Sequence, residues 1–275
     1  MMKMGYVRWL SLGVVLAAAP LRAAEYDCVT EPSQTVAVRA AVEGLIATIA
    51  VDRGDAVKRG QILVTLESGF EAASAELAQF RAKMQGAVHS SESRVDYAQI
   101  KANRNVQLQQ ENFISAEERD EAQTALKLAE SELEETRDNR RVAELEYRRA
   151  KEELERRTVR SPLDGVVIER LMQPGELADN QNRDRPILKL ANTRVLHVEA
   201  LLPLEAYRGV RPGMSARVMP EAPVGGTYTA AVTVVDSVVD AASGTFGVRL
   251  ALPNPEQQVP AGVKCRVVFD LAPTR

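Results

Sequence analysis

Few residues of this chain have the types and spacing that catalysis or metal binding needs. Its only histidines are His89, in a helix-like segment, and His197, in a strand-like one. Neither Cys28 nor Cys265 has a second cysteine nearby, as a zinc site would require. G-x-S-x-G, G-x-G-x-x-G and P-loop patterns do not occur. We therefore expect no catalytic residue, no metal site and no cofactor, and we expect that the protein is not an enzyme.

A group of residues whose spacing suits contact with another protein lies near the middle of the chain, in "RNVQLQQENFIS". Arg104 and Leu108 are four residues apart, so on a helix they share one face. Ser115 follows an Asn-Phe-Ile turn and begins "SAEE", the pattern of a helix N-cap with Glu118 reaching back. These residue types suit contact with another protein, although Ser115 has the alternative role of a cap alone.

The N-terminus has the pattern of a secretory signal peptide over residues 1–23. Lys3 and Arg8 precede a short apolar run, "WLSLGVVLAAAPL", and small residues follow it. We expect cleavage after Ala23 or Ala24, and the alternative is an uncleaved membrane anchor. The residues before Cys28 do not resemble a lipoprotein signal, so we expect no lipid anchor there.

Export would place both cysteines in a compartment that permits disulfides. A Cys28–Cys265 bridge would tie the two ends of the mature chain together. The alternative is two unpaired, buried thiols, because separation along the sequence does not fix the distance between Cα atoms.

A repeat of about thirty residues surrounds the central segment. Residues 38–68 and 159–192 both alternate short apolar runs with Gly-Asp or Gly-Glu turns, a pattern typical of short strands. Gly44 aligns with Gly165, and Gly54 aligns with Gly175. One copy cannot bury its apolar face alone, so we expect the two copies to pair into one small β-sandwich.

Between the copies, the apolar period becomes helical. Arms 70–112 and 115–157 are equal in length and would each reach roughly 65 Å as helices. The second arm has a heptad pattern, formed by Leu126, Leu133, Arg140, Tyr147 and Leu154, with Ala129, Thr136, Ala143 and Ala150 between them. The first arm is predicted to use Ala73, Leu77, Phe80 and Met84, then Val88, Val95 and Ala102, with a shift of the seam after Met84. Two such arms predict an antiparallel coiled coil.

The remaining sequence is rich in strand-forming residues. Several short β-type runs between residues 195 and 271 are separated by turn-rich loops, which suggests a small barrel. The net charge of −3 gives no basic surface for nucleic acid.

This arrangement resembles the periplasmic adaptor subunits, or membrane fusion proteins, of bacterial tripartite efflux and secretion pumps (the HlyD-like family). The resemblance rests on "VEGLIATIAVDRGDAVKRGQILVTL", "VRSPLDGVVIERLMQPGE" and the turn between the arms. It implies an elongated, multidomain α+β fold: a lipoyl-like β-sandwich split by an antiparallel α-helical coiled-coil hairpin, followed by a small β-barrel. The implied domains are 36–68 with 159–193 (lipoyl-like), 69–157 (hairpin) and 194–271 (barrel).

The family's hairpin tip carries an Arg-x₃-Leu-x₆-Ser pattern, which Arg104, Leu108 and Ser115 match. The resemblance implies that these residues dock onto a TolC-type outer-membrane channel. It also implies an inner-membrane transporter of the RND class as partner, and self-association as a hexamer. The further membrane-proximal domain of larger adaptors is expected to be absent or vestigial.

Three other functions fit part of this sequence. An ABC-type exporter or a type I secretion system could use the same adaptor architecture. A lipoate or biotin carrier would present a modified lysine between the two copies, where this chain has "ESGFEA" and no lysine. In such a system the transporter, and not this chain, would determine which substrate is exported.

Overall fold

The computed structural model describes residues 24–179 and 185–269. The predicted signal peptide therefore lies outside the described residues. The strands are β1 (Ala24–Val38), β2 (Gly44–Ile49), β3 (Ala56–Val57), β4 (Ile62–Leu66), β5 (Thr158–Arg160), β6 (Gly165–Arg170), β7 (Leu177–Ala178), β8 (Leu188–Pro203), β9 (Ser215–Pro220), β10 (Tyr228–Val235), β11 (Thr245–Pro253) and β12 (Lys264–Phe269). The helices are α1 (Gly69–Lys83), α2 (Gly86–Gln110) and α3 (Ala116–Glu155), with a 3₁₀ turn at Leu204–Ala206. The described chain divides into two units, 36–190 and 24–35 with 191–269.

The two sequence repeats pair reciprocally in the first unit. β3 of the first copy pairs with β6 of the second, and β7 of the second copy pairs with β2 of the first. The glycine turn of each copy also hydrogen-bonds to the other copy: Gly54 N–H donates to the carbonyl of Val167, and Gly175 N–H donates to the carbonyl of Ile46. Both glycines have positive φ, which a side chain would disfavour. The predicted pairing of the two copies into one β module is thereby confirmed.

The core of this module is aliphatic. Its most deeply buried side chains come from both copies and include Ile46, Leu63, Leu66, Val167 and Leu188. β4 and β5, which lie on either side of the helical segment in sequence, pair antiparallel. The helical hairpin therefore leaves and re-enters the module at adjacent positions.

Arg157 fixes the base of the hairpin. Its Nη2 lies 2.5 Å from Glu71 Oε1 at the start of α1, and its Nη1 donates to the Glu43 carbonyl at 2.8 Å. Both side chains of the Arg157–Glu71 pair are largely shielded from solvent. A Cβ on Gly44 would come within 2.5 Å of Arg157 Nη1, so the glycine leaves space for this guanidinium.

The second arm packs as its heptads predict. Every predicted seam residue of α3 is half-buried or buried, and Ala150 is among the most buried. Polar pairs across the seam fix the antiparallel register: Gln79 Nε2 donates to Tyr147 Oη at 3.0 Å, and the Ser91 and Thr136 hydroxyls lie 3.1 Å apart.

The predicted seam of the first arm is wrong over α1 and right over α2. Val88 and Ala102 are buried and Val95 is half-buried. In α1, however, Ala75 and Ala82 are the buried residues, while Leu77, Phe80 and Met84 are exposed. The large Tyr147 of α3 lies opposite α1, and small alanines allow the helices to approach beside it. Residues 84–85 also separate α1 from α2 in this arm, and Met84 has extended backbone angles (φ −66°, ψ 122°).

The second unit is a six-stranded barrel in the order β1-β12-β9-β10-β11-β8, closed by pairing of β1 with β8. Its core contains Leu196, Val218, Phe246, Leu250 and Phe269. The sequence analysis assigned no strand to residues 24–35, yet they form most of β1. Cys28 lies directly opposite Cys265 on β12, and the two sulfurs are bonded at 2.11 Å.

Candidate docking site at the hairpin tip

The end of α2 is closed by a specific backbone turn. Phe113 N–H donates to the Leu108 carbonyl at 2.9 Å, and Asn112 N–H donates to the Gln109 carbonyl at 3.0 Å. Asn112 has φ 58°, the left-handed conformation that asparagine tolerates better than most residues. Together these contacts form a Schellman motif, which satisfies two carbonyls at the helix end.

The start of α3 is closed by the predicted capping box. Ser115 Oγ accepts from Glu118 N–H at 3.2 Å, and Glu118 Oε2 accepts from Ser115 N–H at 3.1 Å. Capping uses the Ser115 hydroxyl as an acceptor, so its proton can still donate outward. A further bond joins the two arms just behind the tip, from Asn105 Nδ2 to the Glu118 carbonyl at 3.3 Å. The tip therefore has its backbone fixed at both helix ends.

The three predicted docking residues lie at or just behind this tip. Arg104 and Ser115 are exposed, and Leu108 is half-buried. Leu108 thus contributes its carbonyl to the Schellman motif and presents part of its side chain to solvent. Arg104 lies one helical turn further from the tip, on the same face as Leu108.

Sequence reasoning missed one residue at this site, Phe113. Its side chain is 73% exposed in the turn between the helices. The available signal was a single aromatic residue in a polar turn, in a chain that is only 4% aromatic. An exposed ring at this position adds an apolar surface to the turn.

The histidines and the acidic side chains of the described ranges do not cluster. No group of three or more His, Cys, Asp or Glu side chains there could hold a metal ion. His89 is exposed on α2 with its Nδ1 3.4 Å from Glu92, and His197 lies on β8. The Arg137 guanidinium, which hydrogen-bonds to Glu92 across the seam, lowers the pKa of that carboxyl.

A β module interrupted by a helical hairpin and joined in sequence to a small barrel is the architecture of membrane fusion proteins. Residues 34–192 match the family described as the CzcB-like, barrel-sandwich hybrid domain, and residues 195–272 match an RND-type family described as the CusB-like, beta-barrel domain. The chain belongs to this family of periplasmic adaptor, or membrane fusion, proteins.

A sequence relative and two solved structures agree with this family. A UPF0194 membrane protein of Citrobacter koseri is 28% identical over 66% of this chain, which spans 65% of that relative's length. MacA from Actinobacillus actinomycetemcomitans shares the fold at 22% identity, with a TM-score of 0.74 over 91% of this chain and 78% of its own. The membrane fusion protein Spr0693 from Streptococcus pneumoniae R6 does so at 15% identity, with a TM-score of 0.63 over 91% of this chain and all of its own.

Proposed function

We propose that this protein is a non-enzymatic periplasmic adaptor that links an inner-membrane efflux transporter to a TolC-type outer-membrane channel for the export of small molecules. The observation that carries the proposal is the hairpin tip. Its backbone is fixed by a Schellman motif and a capping box, and it presents Arg104, Leu108 and Ser115 together. In this proposal residues 36–68 with 159–193 form the lipoyl-like module, 69–157 the hairpin, and 194–271 the barrel domain, to which residues 24–35 add a strand.

Each docking residue has a distinct physical role in this proposal. Leu108 packs its exposed part between helices of the channel. Arg104, on the same helix face, donates to carbonyl or carboxylate oxygens of the channel, for which a guanidinium has five N–H groups. The Ser115 hydroxyl donates the proton that capping leaves unused. Arg104 and Leu108 lie on one arm and Ser115 begins the other, so both arms contribute to the contact.

The RND class is the proposed transporter partner, because the barrel matches a family of RND type. An ABC-type exporter or a type I secretion system is the alternative partner.

The family supports a periplasmic location, reached through a cleaved signal peptide at residues 1–23, and several copies are proposed to associate around the pump axis. Within the described ranges, no helix has the length and apolar character needed to cross a bilayer. The Cys28–Cys265 disulfide fits an oxidising compartment.

Charge substitutions at the tip test the proposal. In a strain that lacks the chromosomal gene, Leu108→Asp or Arg104→Asp should abolish efflux, because each places a carboxylate in the docking surface. The matched control is Leu128→Asp, since Leu128 is 66% exposed on α3, away from the tip. Efflux is measured as accumulation of a panel of fluorescent dyes, together with drug susceptibility. Circular dichroism should show unchanged helix content for all three variants.

Normal efflux by both tip variants would remove the assignment of the docking site. Equal loss with Leu128→Asp would show that any charge on the hairpin is harmful and that the tip is not special. Cross-linking of the tagged protein in membranes identifies the transporter, and capture of an ABC protein instead of an RND protein would replace the proposed partner.

A further inference from the structure

Two short connections join the hairpin to the β module. Residues 67–68 link β4 to α1, and residues 156–157 link α3 to β5. Ser68, at the N-cap of α1, makes no side-chain capping bond, and a Cβ on Gly69 would meet no atom within 4 Å. Ser68 and Gly69 therefore do little to fix the direction of α1, and other contacts must set it.

Arg157 connects three segments that meet at the base of the hairpin. Its guanidinium contacts the Glu71 carboxylate in the first turn of α1 at 2.5 Å, and the Glu43 carbonyl just before β2 at 2.8 Å. Its backbone carbonyl accepts from Leu66 N–H at the end of β4 at 2.8 Å. The Arg157 and Glu71 side chains are 22% and 17% exposed, so water screens their ion pair less than it screens a fully exposed pair. One residue thus ties both arms to the β module.

Gly44 leaves the space that this guanidinium occupies. A Cβ on Gly44 would lie 2.5 Å from Arg157 Nη1. Gly44 does not have a positive φ, so the missing side chain provides space and not an unusual backbone conformation. Because the guanidinium is the end of a long, flexible side chain, an added Cβ would displace it and leave the backbone in place.

A small change of angle at the base of the hairpin is amplified at its tip. The arm that α1 and α2 form, residues 69–110, is roughly 60 Å long. A tilt of about 5° at the base would therefore move the tip by about 5 Å. A hydrogen bond is lost over a change of about 1 Å. Docking through polar groups at the tip therefore requires a fixed direction of the hairpin.

We propose that Arg157 is a positioning residue for docking: by joining Glu71 to the Glu43 carbonyl, it fixes the direction of the hairpin and hence the place of the tip. The inference rests on the proposed function and adds to it a residue that acts from the far end of the hairpin. A guanidinium suits this role because its rigid, planar set of N–H groups reaches two acceptors at once. A lysine ammonium is a single charge on a flexible stem and does not hold both.

The direction of the hairpin is measured as a distance between two spin labels on the purified mature chain. One label is attached at Asp96→Cys on α2, and the other at Arg59→Cys or Ala47→Cys on the β module, in separate samples. All three positions are exposed, and the native cysteines are held in their disulfide. Double electron–electron resonance gives the distribution of each distance, and two reference positions make the measurement sensitive to tilt in different directions.

Two variants disturb the junction in different ways. Arg157→Lys should widen the distance distribution roughly twofold, because the ammonium cannot hold both acceptors. Gly44→Ala should have the same effect with Arg157 and Glu71 unchanged, since its Cβ displaces the guanidinium. Circular dichroism should show wild-type helix content for both variants. If Arg157→Lys loses helix, the Gly44→Ala result decides.

Each variant has a matched control within the hairpin. Arg149→Lys alters an exposed pair in which Arg149 Nε lies 2.9 Å from Glu153 Oε1, away from the junction. Gly86→Ala adds a Cβ where no atom lies within 4 Å and where φ is not positive. Both controls should leave the distance distributions and efflux unchanged.

Efflux in the strain that lacks the chromosomal gene completes the test. Arg157→Lys and Gly44→Ala should each reduce efflux several-fold, although the tip residues are unchanged. Unaltered distance distributions in either folded variant would overturn the inference, and so would wider distributions with efflux at the wild-type level. The proposed function is tested separately, because efflux indifferent to Arg104 and Leu108 would reject it whatever the distances show.

Discussion

Ser115 has one observed role, as the cap of α3, and one proposed role, in docking. Its Oγ caps α3, and the proposed docking uses the proton of the same hydroxyl. Ser115→Ala removes both roles and should destabilise the protein by about 1 kcal/mol, the usual cost of a lost cap. Ser115→Asp keeps an acceptor that caps well but removes the donor, so it should unfold at the same denaturant concentration as wild type and still export poorly.

The comparison of these two variants gives a direct test. Denaturant unfolding followed at 222 nm measures the cap, and dye accumulation in cells measures docking. Full export by Ser115→Asp would mean that Ser115 serves only to begin the helix.

At the scale of single residues, the sequence predicted the geometry of the tip but not all of its surface. The capping box was readable because both partners lie within four residues of each other. The Schellman motif depends on Asn112 adopting a positive φ, which the sequence permits but does not require. The sequence could not show whether the Phe113 side chain is exposed, since an aromatic residue between two helices can equally turn inward and pack.

The helices of the hairpin differ in how well their sequence patterns predict their packing. α3 has one regular seam and it packs as predicted. α1 has two candidate faces, an apolar one and an alanine-rich one, and periodicity alone favours the apolar face. The alanine face packs inward because the opposing helix contributes large side chains such as Tyr147. A hydrophobic pattern identifies a helix-packing face, but it does not identify the partner.

This corrected seam can be tested by overfilling it. Ala82 is only 9% exposed against α3, so Ala82→Leu should destabilise the hairpin by about 1–3 kcal/mol, the usual cost of overpacking. Ala125→Leu, at an exposed position of α3, is the matched control and should change stability by less than about 0.5 kcal/mol. Guanidinium unfolding followed by helical circular dichroism measures both. Equal stability of the two variants would contradict the observed seam.

For the molecule as a whole, the barrel depends on strands from opposite ends of the chain. β1 and β12 are adjacent in the barrel although Cys28 and Cys265 are 237 residues apart in sequence. The sequence analysis missed β1 because its neighbours in space are so distant in sequence. Residues 25–31 alternate Tyr26, Cys28 and Thr30 with positions that are charged except for Val29, and this alternation was the available signal. The repeat, by contrast, was predictable because its glycine turns occur twice.

The disulfide should be the main covalent support of this arrangement. Its loss removes a constraint on a very long loop of the unfolded chain, so Cys28→Ser with Cys265→Ser should lower the free energy of unfolding by roughly 2–5 kcal/mol. Calorimetry with and without reductant measures the effect. Reductant should lower the wild-type melting temperature and leave the double variant unaffected. A wild-type protein that melts at the same temperature in both conditions would contradict this role.

Because β4 pairs with β5, the length of the hairpin does not affect how the hairpin is attached to the β module. Thr65 and Thr158 are partners in that pair, so the whole helical excursion occupies the place of an ordinary strand-to-strand loop. Adding or deleting matched heptads on both arms would lengthen or shorten the hairpin without disturbing either copy of the repeat. The length of the hairpin can therefore change in evolution without a change in the β module from which it extends.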